Sequence, residues 1–161
     1  MPSYLLQSTQ KFRQPLADVF PFFADAANLE QITPPWLRFK ILTPNAGQMR
    51  RGAKIDYRLR VNGVPVRWQS EITAWEPPFR FVDEQRSGPY REWVHEHKFV
   101  ESSDGCEMTD TVRYQVPGGA LVNFCLVSRQ LRRIFEYRSH FLAQRFECDA
   151  GAGSGVQITR A

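Results

Sequence analysis

From Arg38 to Tyr114 apolar and polar residues alternate with a period of two, and from Leu121 to Phe146 the period becomes helical. Residues near 4–13 read as an opening strand. Pro15 suits the first position of a helix, where its missing N–H costs nothing, and Leu16, Val19, Phe20 and Phe23 follow at helical spacing. Pro21 falls inside that pattern and is expected to kink or shorten the helix. Asp25 is placed to cap a second short helix through Ile32, which Thr33-Pro34-Pro35 stops. Asn62-Gly63, Pro77-Pro78, Ser87-Gly88-Pro89, Ser103-Asp104-Gly105 and Pro117-Gly118-Gly119 punctuate the alternating stretch. Asn-Gly between Val61 and Val64 predicts a type I′ hairpin. The connections are too short for parallel crossovers, so the sheet is expected to be antiparallel. The order is strand, two short helices, six strands and a long helix.

On a helical wheel Phe124, Val127, Leu131, Ile134, Phe135, Phe141 and Leu142 form one apolar stripe, with Arg129, Arg132, Arg133, Glu136 and His140 opposite. That face needs a sheet to cover it. After Cys148, Asp-Ala-Gly-Ala-Gly-Ser-Gly has flexible-linker composition. The chain is therefore divided into one domain over residues 1–147 and a flexible tail over 148–161.

Alternation splits each strand into two faces. One collects Ile55, Tyr57, Leu59, Val61, Val66, Trp68, Ser70, Ile72, Phe79, Phe81, Asp83, Gln85, Trp93, His95, His97, Phe99, Met108, Asp110, Val112 and Tyr114; the other is mostly Arg, Glu, Lys and Thr. The aromatic face must be internal, yet it carries Ser70, Asp83, Gln85, His95, His97 and Asp110. An unpartnered buried polar group costs about 1–3 kcal/mol, so these residues form a satisfied network or border a cavity. Six of them across four strands favour a cavity. Arg138 lies seven residues after Leu131, within the apolar stripe. It either extends past the sheet edge to solvent or pairs inside with Asp83 or Asp110.

Composition adds limits. The 161 residues are 42% hydrophobic, 24% charged and 13% aromatic, as expected of a globular domain with a large core or a lined cavity. The net charge of +4 is spread, and no basic–aromatic platform accompanies the arginines, so no nucleic-acid partner is expected. No basic segment leads into an apolar run at the N-terminus, and no run approaches a membrane span. Cys106, Cys125 and Cys148 show no metal-ligand spacing and read as free thiols in a reducing cytoplasm.

The pattern Arg67-Trp68-x-Ser70-x-Ile72-x-x-Trp75-x-Pro77-Pro78-x-x-Phe81-x-Asp83-x-Gln85-x-x-Gly88-Pro89-Tyr90-x-x-Trp93-x-His95-x-His97-x-Phe99 resembles the bacterial START-like superfamily, also called SRPBCC. So do Asp110-x-Val112-x-Tyr114-x-x-Pro117-Gly118-Gly119 and Pro15-Leu16-x-x-Val19-Phe20-x-Phe22-Phe23-x-Asp25-x-x-Asn28-Leu29. The resemblance covers residues 5–146. It implies an α+β helix-grip fold, a seven-stranded curved antiparallel sheet wrapped on the C-terminal helix around a deep apolar tunnel. Relatives include polyketide cyclases, coenzyme Q-binding START domains, lipid-transfer domains and plant allergens. The resemblance carries no universal catalytic motif.

Three function classes follow. A carrier of a lipid, quinone or polyketide-like molecule needs only the cavity, lined by Tyr57, Trp68, Ser70, Phe81, Asp83, Gln85, Trp93, His95, His97, Asp110, Tyr114, Leu131, Phe135 and Arg138. A cofactor-free cyclase or dehydratase would relay protons through His95, His97 and Asp110. A metal site is the third, because His95-x-His97 sends two imidazoles to one side of a strand and a neighbouring carboxylate completes a facial triad. Carriage is the leading expectation, with no cofactor and no resident metal; a protein partner is left open.

Overall fold

The computed structural model describes residues 1–146, 148 and 155–161. Strand β1 (Tyr4–Phe12) leads into helix α1 (Leu16–Phe23), a 3-10 turn (Ala26–Asn28), α2 (Leu29–Ile32) and a second 3-10 turn (Pro35–Leu37). Strands β2 (Lys40–Ile41), β3 (Lys54–Val61), β4 (Val64–Glu76), β5 (Arg80–Ser87), β6 (Glu92–Ser102) and β7 (Gly105–Gln115) follow. The long helix runs from Gly119 to Arg145 in three parts: α3 (Gly119–Val122), a π-helical turn (Asn123–Val127) and α4 (Ser128–Arg145). The chain ends in β8 (Gln157–Arg160).

The eight strands among the described residues form one antiparallel sheet in the order β2-β3-β4-β5-β6-β7-β1-β8. The expected helix-grip arrangement is present, with one strand more than the seven expected. The extra strand lies in the segment read as a flexible tail: Gln157–Arg160 pairs with β1, Ile158 opposite Leu6. The glycine-rich residues 149–154 of that tail lie outside the described residues. Asn62 and Gly63 both have positive φ (51° and 79°), as a type I′ hairpin requires. Two irregularities in the β4–β5 register, at Gln69/Ser70 and Ile72/Ala74, add bend and twist where the sheet wraps the helix. Pro15 is the N-cap of α1 rather than its first residue, and Pro21 is accommodated within the short helix. Asp25 accepts a hydrogen bond from the Ala27 N–H at 3.0 Å and caps the following turn.

The interior holds two apolar clusters. One joins α1 to the far end of the sheet through Phe12, Phe20, Phe23, Phe81, Phe99 and Leu142. The other joins the start of the long helix to Tyr4, Leu6, Val112 and Tyr114 through Leu131 and Phe135. Four elements cross from one cluster to the other, and each places polar residues between them. In β1 Ser8 and Gln10 lie between Leu6 and Phe12. In β6 His95 and His97 lie between Trp93 and Phe99; in β7 Asp110 lies between Met108 and Val112; in α4 Arg138 lies between Phe135 and Leu142. A polar layer is thus built across the core. No helix among the described residues is long and apolar enough to cross a membrane.

Candidate functional site

A cavity of about 180 Å³ runs between the sheet, α4 and the α2 region. Its walls are mostly apolar, and Asp83, His95, His97 and Arg138 form a polar inner end. Space of this order exceeds engineered apolar cavities of about 150 Å³ that admit benzene.

Strand pairing assembles that polar end. Asp83 on β5 is opposite His95 on β6, and His97 is opposite Asp110 on β7. The His95 and His97 rings stack with centroids 3.7 Å apart, and Phe81 stacks on the other face of His97 at 4.1 Å. His95 Nε2 lies 2.8 Å from Asp110 Oδ1, and His97 Nε2 lies 2.9 Å from Asp83 Oδ2. His97 Nδ1 is 3.0 Å from Asp110 Oδ1 but off the hydrogen-bonding axis, so that contact is electrostatic and Nδ1 has no hydrogen-bond partner. Arg138 Nη2 donates to Asp110 Oδ1 at 3.4 Å, and the guanidinium carbon lies 5.8 Å from the Phe23 ring centre and 5.7 Å from that of Phe135. Arg138 therefore pairs inside the fold, the internal alternative of the two expected for it. Its Nε is buried without a hydrogen-bond partner among the described residues.

Burial raises the Asp110 carboxyl's pKa, yet the Arg138 charge and the two histidines outweigh it and hold the group well below the usual carboxylate range. Asp83 is also lowered: burial opposes, while the His97 hydrogen bond and the His95 charge prevail. The histidines separate. Burial and the neighbouring His97 depress His95, whereas His97, flanked by both carboxylates, is raised despite its burial. Without other ligands, the layer keeps both carboxylates ionised and places its extra proton on His97.

A second polar point lies along the tunnel. Trp68 Nε1 donates to Ser70 Oγ at 3.0 Å, and the Tyr57 hydroxyl is 3.3 Å from the same oxygen. Burial, then the Asp83 charge, pushes the Tyr57 phenol well above its ordinary pKa and keeps it a neutral hydroxyl.

Of the residues expected at the site, Tyr57, Trp68, Ser70, Phe81, Asp83, Trp93, His95, His97, Leu131, Phe135 and Arg138 line the cavity. Gln85, Asp110 and Tyr114 do not. Gln85 turns its amide to the β5–β6 connection, donating to the Tyr90 carbonyl at 2.7 Å and accepting from the Tyr90 N–H at 3.2 Å. Asp110 lies behind the imidazoles, and Tyr114 is packed under Tyr90 and Trp93, its hydroxyl donating to Asn123 Oδ1 at 2.9 Å. Sequence reasoning missed Tyr90, which Gln85 holds over the cavity against Trp68 and Trp93 (ring centres 5.5 and 4.7 Å away). It also missed the wall given by Asn28, Leu29, Ile32 and Leu37, whose helical run carries no polar residue at an apolar position to draw attention.

A curved antiparallel sheet closed on a long helix around an apolar, polar-ended cavity defines a binding domain for hydrophobic small molecules. Residues 13–142 match the family model described as polyketide cyclase/dehydrase and lipid transport, and the chain belongs to that family. Solved structures agree in fold. A START superfamily protein from Mycobacterium smegmatis superimposes with a TM-score of 0.67 at 12% identity, covering 89% of this chain and 97% of its own. Ginseng major latex-like protein 151 from Panax ginseng gives 0.66 at 10% identity, covering 91% and 99%. A protein from Chromobacterium violaceum gives 0.69 at 14% identity, covering 90% and 99%. No curated protein matches the sequence.

Proposed function

We propose that this protein binds and carries a lipid, quinone or polyketide-like molecule whose apolar body fills the aromatic tunnel and whose oxygen-bearing group meets the polar layer. One observation carries the reading: a mostly apolar cavity is lined in one region by Asp83, His95, His97 and Arg138, polar groups that an oxygen-bearing ligand could meet. A tunnel that took only hydrocarbon would gain nothing from these groups, which cost desolvation energy when buried. Cys106 and Cys125 are free thiols, which fits a reducing compartment, and we place the carrier in the cytoplasm. The test is titration with an environment-sensitive apolar dye, followed by displacement with quinones, fatty acids and aromatic polyketides. We expect one saturable site at micromolar affinity or better; no saturable binding would overturn the reading. Native mass spectrometry of the purified protein identifies any ligand carried through purification.

A second reading is a cofactor-free cyclase or dehydratase. It is favoured by Asp83, His95 and His97 facing the cavity while Asp110 orients the imidazoles from behind, an arrangement able to take and return a proton. If the domain only binds, the double change His95→Gln, His97→Gln alters affinity modestly and leaves the bound compound unchanged. If it catalyses, the change abolishes conversion while binding persists.

A further inference from the structure

Donor counting in the polar layer leaves a conflict. A neutral imidazole carries one N–H and one lone pair. His97 has a carboxylate oxygen within 3.0 Å of each ring nitrogen: Asp83 Oδ2 at Nε2 and Asp110 Oδ1 at Nδ1. Its neutral form must turn a lone pair toward an anion. His95 repeats the problem more weakly, with Asp110 Oδ1 2.8 Å from Nε2 and Asp83 Oδ2 3.7 Å from Nδ1. A second proton on one ring relieves that ring alone. Protonating both would stack two cations 3.7 Å apart inside the core.

One divalent cation relieves both rings together. We propose that Asp83, His95 and His97 form a divalent-metal site at the inner end of the cavity, of the two-imidazole, one-carboxylate kind. The nitrogens nearest Asp83 are His97 Nε2 and His95 Nδ1, and one ligand atom from each of the three residues lies within 4.8 Å of the other two. Ligand atoms around a Zn²⁺ with bonds of about 2.1 Å are separated by about 2.9–3.5 Å. The 2.9 and 3.7 Å from Asp83 Oδ2 lie at the near end of that range and just beyond it, so small side-chain shifts would bring both nitrogens and the carboxylate to one ion.

The second layer supports this assignment independently. With the metal on Nδ1 of His95 and Nε2 of His97, the opposite nitrogens carry the N–H groups, and both are the ones nearest Asp110. Metal-binding histidines characteristically give their other N–H to a carboxylate, which fixes tautomer and ring orientation. Asp110 serves both rings, and Arg138 holds Asp110 from the helix at 3.4 Å. His97 Nδ1 then presents its N–H toward Asp110 Oδ1, 3.0 Å away, and a small turn of the ring would bring the pair onto the hydrogen-bonding axis. Asp83, His95 and His97 line the cavity and Asp110 does not, so the remaining coordination positions face the space where a ligand oxygen would sit. This donor set suits Zn²⁺ or Fe²⁺. It would turn the catalytic reading from cofactor-free to metal-assisted.

The test uses the full chain stripped with chelator and then dialysed. Zn²⁺ is titrated by calorimetry, and Co²⁺ by its visible absorption, which reports coordination. We expect one ion per chain and a zinc-dependent rise in melting temperature. His97→Gln should weaken binding at least tenfold. Asp110→Asn should weaken it about 10–100-fold while leaving the Co²⁺ band positions in place, as expected of a residue that positions ligands without touching the metal. His140→Gln and Cys148→Ser should bind as wild type. Substoichiometric binding with no zinc-dependent shift in wild-type melting overturns the proposal, whatever the variants do. So does full binding by folded His97→Gln, or loss of binding in Cys148→Ser. Dye binding by the same stripped protein reads the carrier function separately.

Discussion

The guanidinium of Arg138, on the buried face of α4, lies 3.4 Å from Asp110 on strand β7, and both side chains are almost wholly out of water. Helix and sheet are thereby tied at the level where the two apolar clusters meet. Removing one member of such a pair strands the other charge, at a typical cost of about 3–5 kcal/mol. We predict a loss of that size for Arg138→Met in urea denaturation. Arg133→Met, which removes an exposed cation 5.0 Å above the Trp36 ring, should cost no more than about 1 kcal/mol. Adding Asp110→Asn to Arg138→Met should recover part of the loss, and adding Asp83→Asn should recover less. Equal small effects at Arg138 and Arg133 would refute the pairing.

This pair was half legible in the sequence. The seven-residue spacing from Leu131 put Arg138 on the buried stripe, and alternation put Asp83 and Asp110 on the inner face. Alternation reports a face, not a depth, so it could not separate Asp83, which reaches the cavity, from Asp110 and Tyr114, which are covered by their neighbours. Phe124 shows a different limit. An unbroken α-helix puts it on Leu131's side, but the π turn at Asn123–Val127 adds a residue to that turn and rotates the preceding part of the helix. Phe124 therefore faces solvent at 72% exposure, and Asn123 is the residue buried against Tyr114. Strand β8 was hidden because four residues after a glycine-rich stretch give almost no periodicity; its stability comes from the open edge of β1, a property of sheet order.

Cysteine reactivity should follow burial. Cys106 lies in the core at 1% exposure, and burial, aided by Glu101, pushes its thiol up to about 11. Cys125 is exposed. Because the thiolate is the nucleophile, at pH 8 only about a thousandth of Cys106 is in reactive form even before access is considered. Iodoacetamide should label Cys125 readily and Cys106 only in denaturant, as read by peptide mass spectrometry. Rapid labelling of Cys106 in the native protein would show that this end of the sheet opens.

Two turn glycines should respond differently to alanine. Gly63 has φ 79° with open space around an added Cβ, so Gly63→Ala should cost only the left-handed backbone penalty of about 1–2 kcal/mol. At Gly105, φ is 145° and a Cβ would come within 1.9 Å of the Phe12 carbonyl oxygen and 2.9 Å of Arg13 Cα. Backbone cannot rotate aside as a side chain can, so Gly105→Ala adds an overpacking cost of about 1–3 kcal/mol. Denaturation midpoints should rank wild type, Gly63→Ala, Gly105→Ala; a reversal would mean that the β6–β7 turn yields more easily than its packing implies.

Filling the tunnel separates binding inside it from binding on the surface. Ile134 faces the cavity from α4 and is half-buried, whereas its neighbour Arg133 is exposed. Ile134→Trp places an indole into the existing space of about 180 Å³, so it avoids most of the strain that the same change brings in a packed core. Dye affinity should fall at least tenfold, and the melting temperature should move by no more than a few degrees. Arg133→Trp adds the same indole one residue away without entering the tunnel, and dye affinity should stay within twofold of wild type. If both variants bind as wild type, the dye sits elsewhere and the cavity is not the site of binding. If both lose affinity, the helix surface around Arg133 belongs to the entrance. A loss confined to Ile134→Trp, together with slower release of any ligand that still enters, assigns binding to the space between sheet and helix.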